Sequence, residues 1–100
     1  MSDSGFAQSE SCLKIIYSGR VQGVGFRYTT ARIARRYPVT GYVKNLADGT
    51  VELVVCGSQS AVQSFLDEIA THFQSNIDSE HTFTESVSPP QDLTTFEIRR

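Results

Sequence analysis

Between Gly19 and Arg27 the chain reads Gly-Arg-Val-Gln-Gly-Val-Gly-Phe-Arg, with three glycines and two arginines in one short segment. Glycine lets the backbone turn successive N–H groups to one side without a Cβ in the way. Amides arranged so form a concavity for an anion, and a helix beginning just beyond them adds partial positive charge. Arg27 falls near the first turn of the helix predicted to follow, where a guanidinium could close a planar fork on that anion. A cation there opposes the helix dipole, and a residue that works against local stability is a reason to look for function. The chemistry indicated is the holding of a phosphoryl group. Two nucleotide motifs are excluded: no Gly-Lys-Ser/Thr is present, and Tyr28 occupies the third glycine position of a dinucleotide fingerprint. On spacing alone, a phosphate cradle and a plain glycine-rich turn with an exposed arginine stand about level.

Other reactive side chains offer less. His72 lies near the end of a predicted helix, where a cation suits the dipole, and His81 lies in a loop; both read as surface residues. Asp67 and Glu68 are adjacent, so on a helix they point in different directions and do not form an acid/base pair. No serine sits in Gly-x-Ser-x-Gly, and the Phe and Tyr positions read mostly as core. Cys12 and Cys56 are the only cysteines; without C-x-x-C or Cys/His spacing they read as two buried free thiols in a reducing compartment.

The elements that would position the glycine loop can be read on either side of it. Residues 1–11 are Ser-rich and unpatterned, a loose tail ahead of a domain over 12–100. Leu13 to Tyr17 reads as a first strand. After the loop, Phe26, Ile33, Ala34 and Tyr37 share a helix face, with Arg32, Arg35 and Arg36 largely outside it, and Pro38 is expected to close the helix. Gly41 to Leu46 reads as a second strand, Asp48-Gly49 as a two-residue type I′ hairpin, and Val51 to Cys56 as the returning strand. Ser60-Ala61-Val62-Gln63 fits a capping box. It opens a second helix with the stripe Val62, Phe65, Leu66, Ile69 and Phe73. After the polar stretch Gln74 to His81, Thr82 to Val87 patterns weakly as a strand, and Thr95 to Arg99 as a final short one. The order β-α-β-β-α-β predicts an α+β, ferredoxin-like sandwich with two helices on one face of a mainly antiparallel sheet and a short C-terminal extra strand.

One hundred residues suit one domain with one core. Net charge is −2, made of +4 over residues 1–50 and −6 over residues 51–100. That asymmetry favours a local anion site over a nucleic-acid surface. The N-terminal residues lack a basic stretch followed by an apolar one, and no apolar run approaches the ~20 residues that span a bilayer. The cytoplasm is the expected location.

The segment Gly19–Arg27 resembles the signature loop of acylphosphatases. Gly41-Tyr42-Val43-Lys44-Asn45-Leu46-Ala47-Asp48-Gly49-Thr50-Val51-Glu52 is similar to that family's second block, a strand with an asparagine followed by a hairpin. The separation of the blocks and the ending Phe96-Glu97-Ile98-Arg99 match the family too. The resemblance runs from about Leu13 to Arg100 and is weakest over residues 74–92.

The resemblance implies hydrolysis of the carboxyl–phosphate bond of acyl phosphates. It implies a phosphoryl group held by Arg27 and the amides of the Gly19–Phe26 loop, with Gln22, Gly23, Val24, Gly25 and Phe26 as phosphate-binding positions, and a water positioned by Asn45. Such chemistry asks for positioning and charge stabilisation, and an amide side chain can orient water but cannot act as a base. The expectation is a monomer with a small-molecule acyl phosphate as substrate and inorganic phosphate or sulfate as occupants of the site. No metal, cofactor, nucleic acid or membrane is expected to take part. Two other readings compete with this one. An RNA-binding module would echo Gly23-Val24-Gly25-Phe26, but it lacks the expected aromatic pairs on central strands and a positive net charge. An acylphosphatase-like unit serving a larger protein is disfavoured by the chain's length.

Overall fold

The structure is a computed structural model that describes residues 10–90 and 92–100. Most of the expected N-terminal tail, residues 1–9, lies outside the described residues. Five strands and two α-helices follow one another as β1 Ser11–Tyr17, α1 Phe26–Ala34, β2 Thr40–Asn45, β3 Val51–Gly57, α2 Gln59–His72, β4 Phe83–Ser86 and β5 Phe96–Arg99. The strands form one sheet in the order β4-β1-β3-β2-β5. All neighbours are antiparallel except β2 and β5, which run parallel. Both helices lie on one face, so the ferredoxin-like α+β architecture expected from the element order is the one observed.

Strand parity decides what each face carries, because successive side chains alternate across a sheet. Val51, Leu53 and Val55 of the central strand are wholly buried beneath the helices. The β1–β3 register sets Ile15 opposite Leu53 and Tyr17 opposite Val51, on the same side. From α1, Phe26, Thr30, Ile33 and Ala34 close down on this layer; from α2, Val62, Phe65 and Ile69 do. The predicted stripe of α2 is therefore the core face, with Phe73 buried just beyond it and Leu66 half-buried.

Four local expectations give way to the structure. First, α1 ends at Ala34 rather than at Pro38. The amides of Arg35, Arg36 and Tyr37 bond to the carbonyls of Arg32, Ile33 and Ala34, a tighter i→i−3 winding that ends the α-helix ahead of the proline. Second, the β2–β3 turn has three residues rather than two. Leu46 N–H donates to Thr50 O at 2.9 Å, enclosing Ala47, Asp48 and Gly49, and Gly49 takes φ 92° as the left-handed last residue of such a loop. Third, α2 is capped by Ser58, whose side chain accepts from Ala61 N–H at 3.2 Å, and not by Ser60. Because β3 runs to Gly57, the helix must begin at once. Fourth, Cys12 and Cys56 are buried as expected but not free: they stand directly opposite in the β1–β3 ladder and are joined by a disulfide.

Candidate active site

The glycine loop connects β1 to α1 and is anchored at its base to the segment after α2. Arg20 N–H donates to Asn76 O at 2.8 Å, Asn76 Nδ2 donates back to Arg20 O at 3.1 Å, and Asp78 N–H donates to Ser18 O at 2.8 Å. Gly19, at φ 113°, makes this approach possible, since a Cβ there would lie 2.3 Å from the Asn76 carbonyl oxygen. Asn76 and Asp78, from the stretch least legible in the sequence, thus anchor the base of the loop.

The loop is tied on its other side to the β2–β3 hairpin. Gln22 Nε2 donates to Leu46 O and to Thr50 O, both at 2.8 Å, which fixes the loop against the end of β2. Asn45 is the last residue of that strand and pairs with Val51. By parity it faces the helix side of the sheet, as Val43 does.

Gly23 and Gly25 both adopt φ 77°. A Cβ at either would meet nothing within 4 Å, so the left-handed backbone, not crowding, calls for glycine, and open space lies over the peptide units. Gly25 is the N-cap of α1 and makes no side-chain cap. The first helical bond runs from Thr29 N–H to Gly25 O at 2.9 Å. The amides of the first turn thus have no capping side chain, and no acidic residue stands in that turn.

These pieces meet in an open cleft of about 190 Å³ lined by Gly23, Gly25, Phe26, Arg27 and Asn45, together with Val21, Tyr28 and Ile98. Of the sequence-predicted positions, Gly23, Gly25, Phe26, Arg27 and Asn45 come together in its lining. Gln22 and Val24 do not line it. The Gln22 side chain is occupied by the hairpin carbonyls, and Val24 is exposed. Arg27 is held from behind: its Nη1 donates to the carbonyl of Arg99, the last residue of β5, at 2.9 Å. That bond leaves the rest of the guanidinium fork for an anion.

Three contributors escaped the sequence. Tyr28, one of the Phe and Tyr positions expected to be mostly core, is 68% exposed at the rim, and Ile98 is 43% exposed. The Arg99 contribution is a backbone carbonyl, which no residue type announces. On the far side of the sheet the Arg99 guanidinium lies 4.2 Å from the centre of the Tyr42 ring and pairs with Glu97 at 2.7 Å. Tyr42 donates to Glu52 at 2.6 Å, and desolvation, followed by this carboxylate, pushes its phenol up to about 12. Burial also raises the Tyr17 phenol.

The histidines lie elsewhere. His72 closes the last turn of α2, and His81 sits in a 3-10 turn, Ser79–His81, with Nδ1 2.8 Å from Asp78. The hydrogen bond to His81 is the main cause holding the Asp78 carboxyl below its usual range. Asp78, Glu80 and His81 approach one another at the surface, all exposed and apart from the cleft.

A ferredoxin-like sandwich whose β1–α1 loop is rich in glycine and lines a cleft with an arginine and an asparagine defines a class of α+β proteins. The acylphosphatase family model matches residues 13–98. An acylphosphatase of Listeria welshimeri is 41% identical over 81 residues, 81% of this chain and 87% of that one. The structure of an acylphosphatase from Coxiella burnetii superposes with a TM-score of 0.75 at 28% identity, covering 93% of this chain and 96% of that one. For the crystal structure of the Bacillus subtilis acylphosphatase the values are 0.74, 30%, 90% and 99%. The chain belongs to the acylphosphatase family and is an enzyme of that type. No helix among the described residues is long and apolar enough to cross a membrane.

Proposed function

We propose that the cleft performs the hydrolysis by direct attack of water on a phosphoryl group held by Arg27 and the amides of the Gly19–Phe26 loop, with Asn45 orienting the water. The observation that carries this reading is the meeting of Arg27 and Asn45 across left-handed glycines at an uncapped helix start. The amides and the guanidinium offer preorganised positive charge to equatorial oxygens, where charge lies in phosphoryl transfer. The Arg99 carbonyl fixes the arginine in place, so little rearrangement is needed when the substrate arrives. The water oxygen bonds to phosphorus as the bond from phosphorus to the acyl oxygen breaks, and the carboxylate leaves with that electron pair. Its conjugate acid has a pKa of roughly 4, so no general acid is required. Asn45 accepts from or donates to the water without taking its proton, which passes to an oxygen of the substrate's own phosphate. No side chain is phosphorylated, no metal takes part, and inorganic phosphate and sulfate occupy the same cradle.

The test is steady-state hydrolysis of benzoyl phosphate in chelator-treated buffer, with inorganic phosphate as inhibitor. Turnover that survives chelation and competitive inhibition by phosphate are expected. A phosphorylated side chain trapped during turnover, or activity restored only by added divalent metal, would overturn the mechanism. A monomeric state and a cytoplasmic location belong to the same proposal. In the cytoplasm the Cys12–Cys56 pair would be kept reduced, so a fully oxidised pair after thiol blocking at lysis would argue against that compartment.

A further inference from the structure

A second groove, of about 490 Å³, is lined by Thr29, Arg32, Ile33 and Arg36 on one side and by His72 of α2 on the other. It shares no lining residue with the catalytic cleft. Thr29, Arg32, Ile33 and Arg36 stand at i, i+3, i+4 and i+7, one stripe along α1 and the turn that ends it. Arg27 falls on the opposite side of the helix, since about 3.6 residues make a turn. The second wall is α2 because the two helices run antiparallel. Phe26 at the start of α1 packs on Phe73 just beyond α2, with ring centroids 4.5 Å apart, and Arg36 reaches Glu68, one turn before the end of α2.

The polar groups of this groove are donors. No carboxylate lines it, and from Arg20 to Ala47 the chain carries six cations and no acid. Among the described residues Arg32 has no carboxylate partner. Arg36 is steadied by Glu68 through Nη2, and the other oxygen of Glu68 accepts from the Tyr37 hydroxyl at 2.6 Å. One nitrogen so engaged leaves the remaining N–H groups of that fork for another anion. Asp67, the neighbouring acid of α2, accepts instead from Gln63 at 2.9 Å. In either tautomer the His72 ring offers one N–H. That ring stands edge-on to Phe73, 4.7 Å between centroids, which limits its rotation. Thr29 adds a hydroxyl, and Ile33 is the buried apolar part of the lining.

The donors are strung out rather than gathered. From Thr29 through Arg32 to Arg36 they span roughly 10 Å of the helix axis, at ~1.5 Å per residue. A single phosphate meets one level of this ladder; several linked phosphates meet all of it. Guanidinium forks take phosphate oxygens in pairs. We propose that the groove between the helices is a second anion site, separate from the catalytic cleft, for a small molecule bearing two or more linked phosphate groups. Since the two sites share no residue, both can be filled at once.

The test is calorimetric titration with inorganic tripolyphosphate. The Arg27→Ala protein, whose catalytic cradle is disabled, should still bind one equivalent, and so should the wild type in saturating inorganic phosphate. Binding should weaken by about tenfold in Arg32→Gln/Arg36→Gln, the size two half-screened charged contacts supply. Arg32→Gln/His72→Gln leaves the Arg36–Glu68 pair in place and should weaken it as well, which covers the case of a first variant that does not fold. Arg35→Gln/Lys44→Gln removes the same net charge outside the groove and should stay within about twofold of wild type. In proton NMR the His72 ring signals should move on titration, while those of His81, which does not line the groove, should not. No binding to Arg27→Ala, loss of wild-type binding in saturating phosphate, or still His72 signals would overturn the inference. Equal weakening by the Arg35/Lys44 control would also overturn it, because the attraction would then belong to the charge of the whole surface. None of these outcomes touches the hydrolytic mechanism, which the benzoyl phosphate assay tests by itself.

Discussion

Each helix of this protein follows a strand, yet their N-termini are built in opposite ways. At α2, β3 passes through Gly57 into Ser58, whose hydroxyl accepts from the Ala61 amide. The helix start is completed by its own chain, the ordinary solution for orphan N–H groups. At α1, Gly25 offers no side chain, the first turn has no acid, and an arginine stands at its second position. Two left-handed glycines keep the backbone there open to solvent. Nearly everything that would stabilise α1 locally has been left out, and the loop is held instead by remote bonds: Asn76 at its base, Gln22 to the hairpin, Arg99 behind Arg27. The difference separates a helix end that closes a core from one that, in the mechanism we propose, receives an anion.

The sharpest way to break the comparison is to remove the cation that α1 should not tolerate. Arg27→Ala should lower kcat/KM for benzoyl phosphate by about 10³-fold or more, in the range of arginines that stabilise phosphoryl transfer, and abolish inhibition by phosphate. Arg27→Lys should recover little, because an ammonium cannot hold the Arg99 carbonyl and a phosphate in one planar fork. Circular dichroism should show both variants folded. Unchanged phosphate inhibition in the Ala variant would remove Arg27 from the cradle.

Asn45→Ala should cost about 10²-fold in kcat, the ~2.7–4 kcal/mol scale of one preorganised polar group, while phosphate inhibits as before. The two variants separate binding from turnover. Asn45→Ala losing phosphate affinity as badly as Arg27→Ala, at an unchanged rate, would reverse the assigned roles.

The disulfide belongs to neither helix end, and its removal should leave that contrast untouched. Cys12→Ser/Cys56→Ser should keep full activity, since a thiol has no place in direct attack by water. It should lose about 2–4 kcal/mol of stability relative to the oxidised protein, the usual worth of a bridge closing a separation of 44 residues. Urea unfolding with and without reductant measures it; equal midpoints for the variant and the oxidised wild type would contradict the prediction.

What the sequence disclosed divides along similar lines. The stripe Val62-Phe65-Ile69-Phe73 and the alternation Val51-Leu53-Val55 are periodic and record which face is buried, so the order and type of the elements were legible. The convergence of Arg27 and Asn45 on one cleft was legible because each sits in a block of recognisable residue types. Terminal details were not. The cap at Ser58 and the three-residue hairpin depend on where β3 stops and where β2 begins to pair, and pairing is a property of two segments. The Cys12–Cys56 bridge was hidden for the same reason: only the ladder from Tyr17↔Val51 to Ser11↔Gly57 sets the cysteines opposite. Tyr28 was hidden by its type, since an aromatic beside apolar neighbours reads as core. The Arg99 carbonyl was hidden because every residue but its orientation carries the same group.

Gly25→Asn probes the uncapped end directly. Asparagine tolerates the left-handed backbone better than most residues, at a cost of about 1 kcal/mol, and its Cβ would enter open space. Its side-chain oxygen would then compete with phosphate for the first-turn amides. Phosphate inhibition should weaken by about fivefold, the equivalent of one neutral hydrogen bond, in a protein that remains folded. Undiminished inhibition would mean that the amides of that turn are not part of the cradle.

The smallest effect should come from the matching change at the other helix. Ser58→Ala removes the hydroxyl that accepts from Ala61 N–H and leaves an orphan donor at the start of α2. Loss of such a cap costs about 1 kcal/mol, which in a domain of this size lowers Tm by roughly 4–8 °C. Ser58 stands at the junction of β3 and α2 and does not line the catalytic cleft. The variant should therefore keep both kcat/KM and phosphate inhibition within about twofold of wild type, since surface changes away from a site shift little. Differential scanning calorimetry and the benzoyl phosphate assay on the same preparation give the two readouts. A stability loss with intact catalysis here, set against lost phosphate binding with modest destabilisation in Gly25→Asn, is the pattern that two differently purposed helix ends require. If Ser58→Ala instead weakens phosphate binding while Tm holds, the cap is coupled to the cradle and the division between the two ends fails.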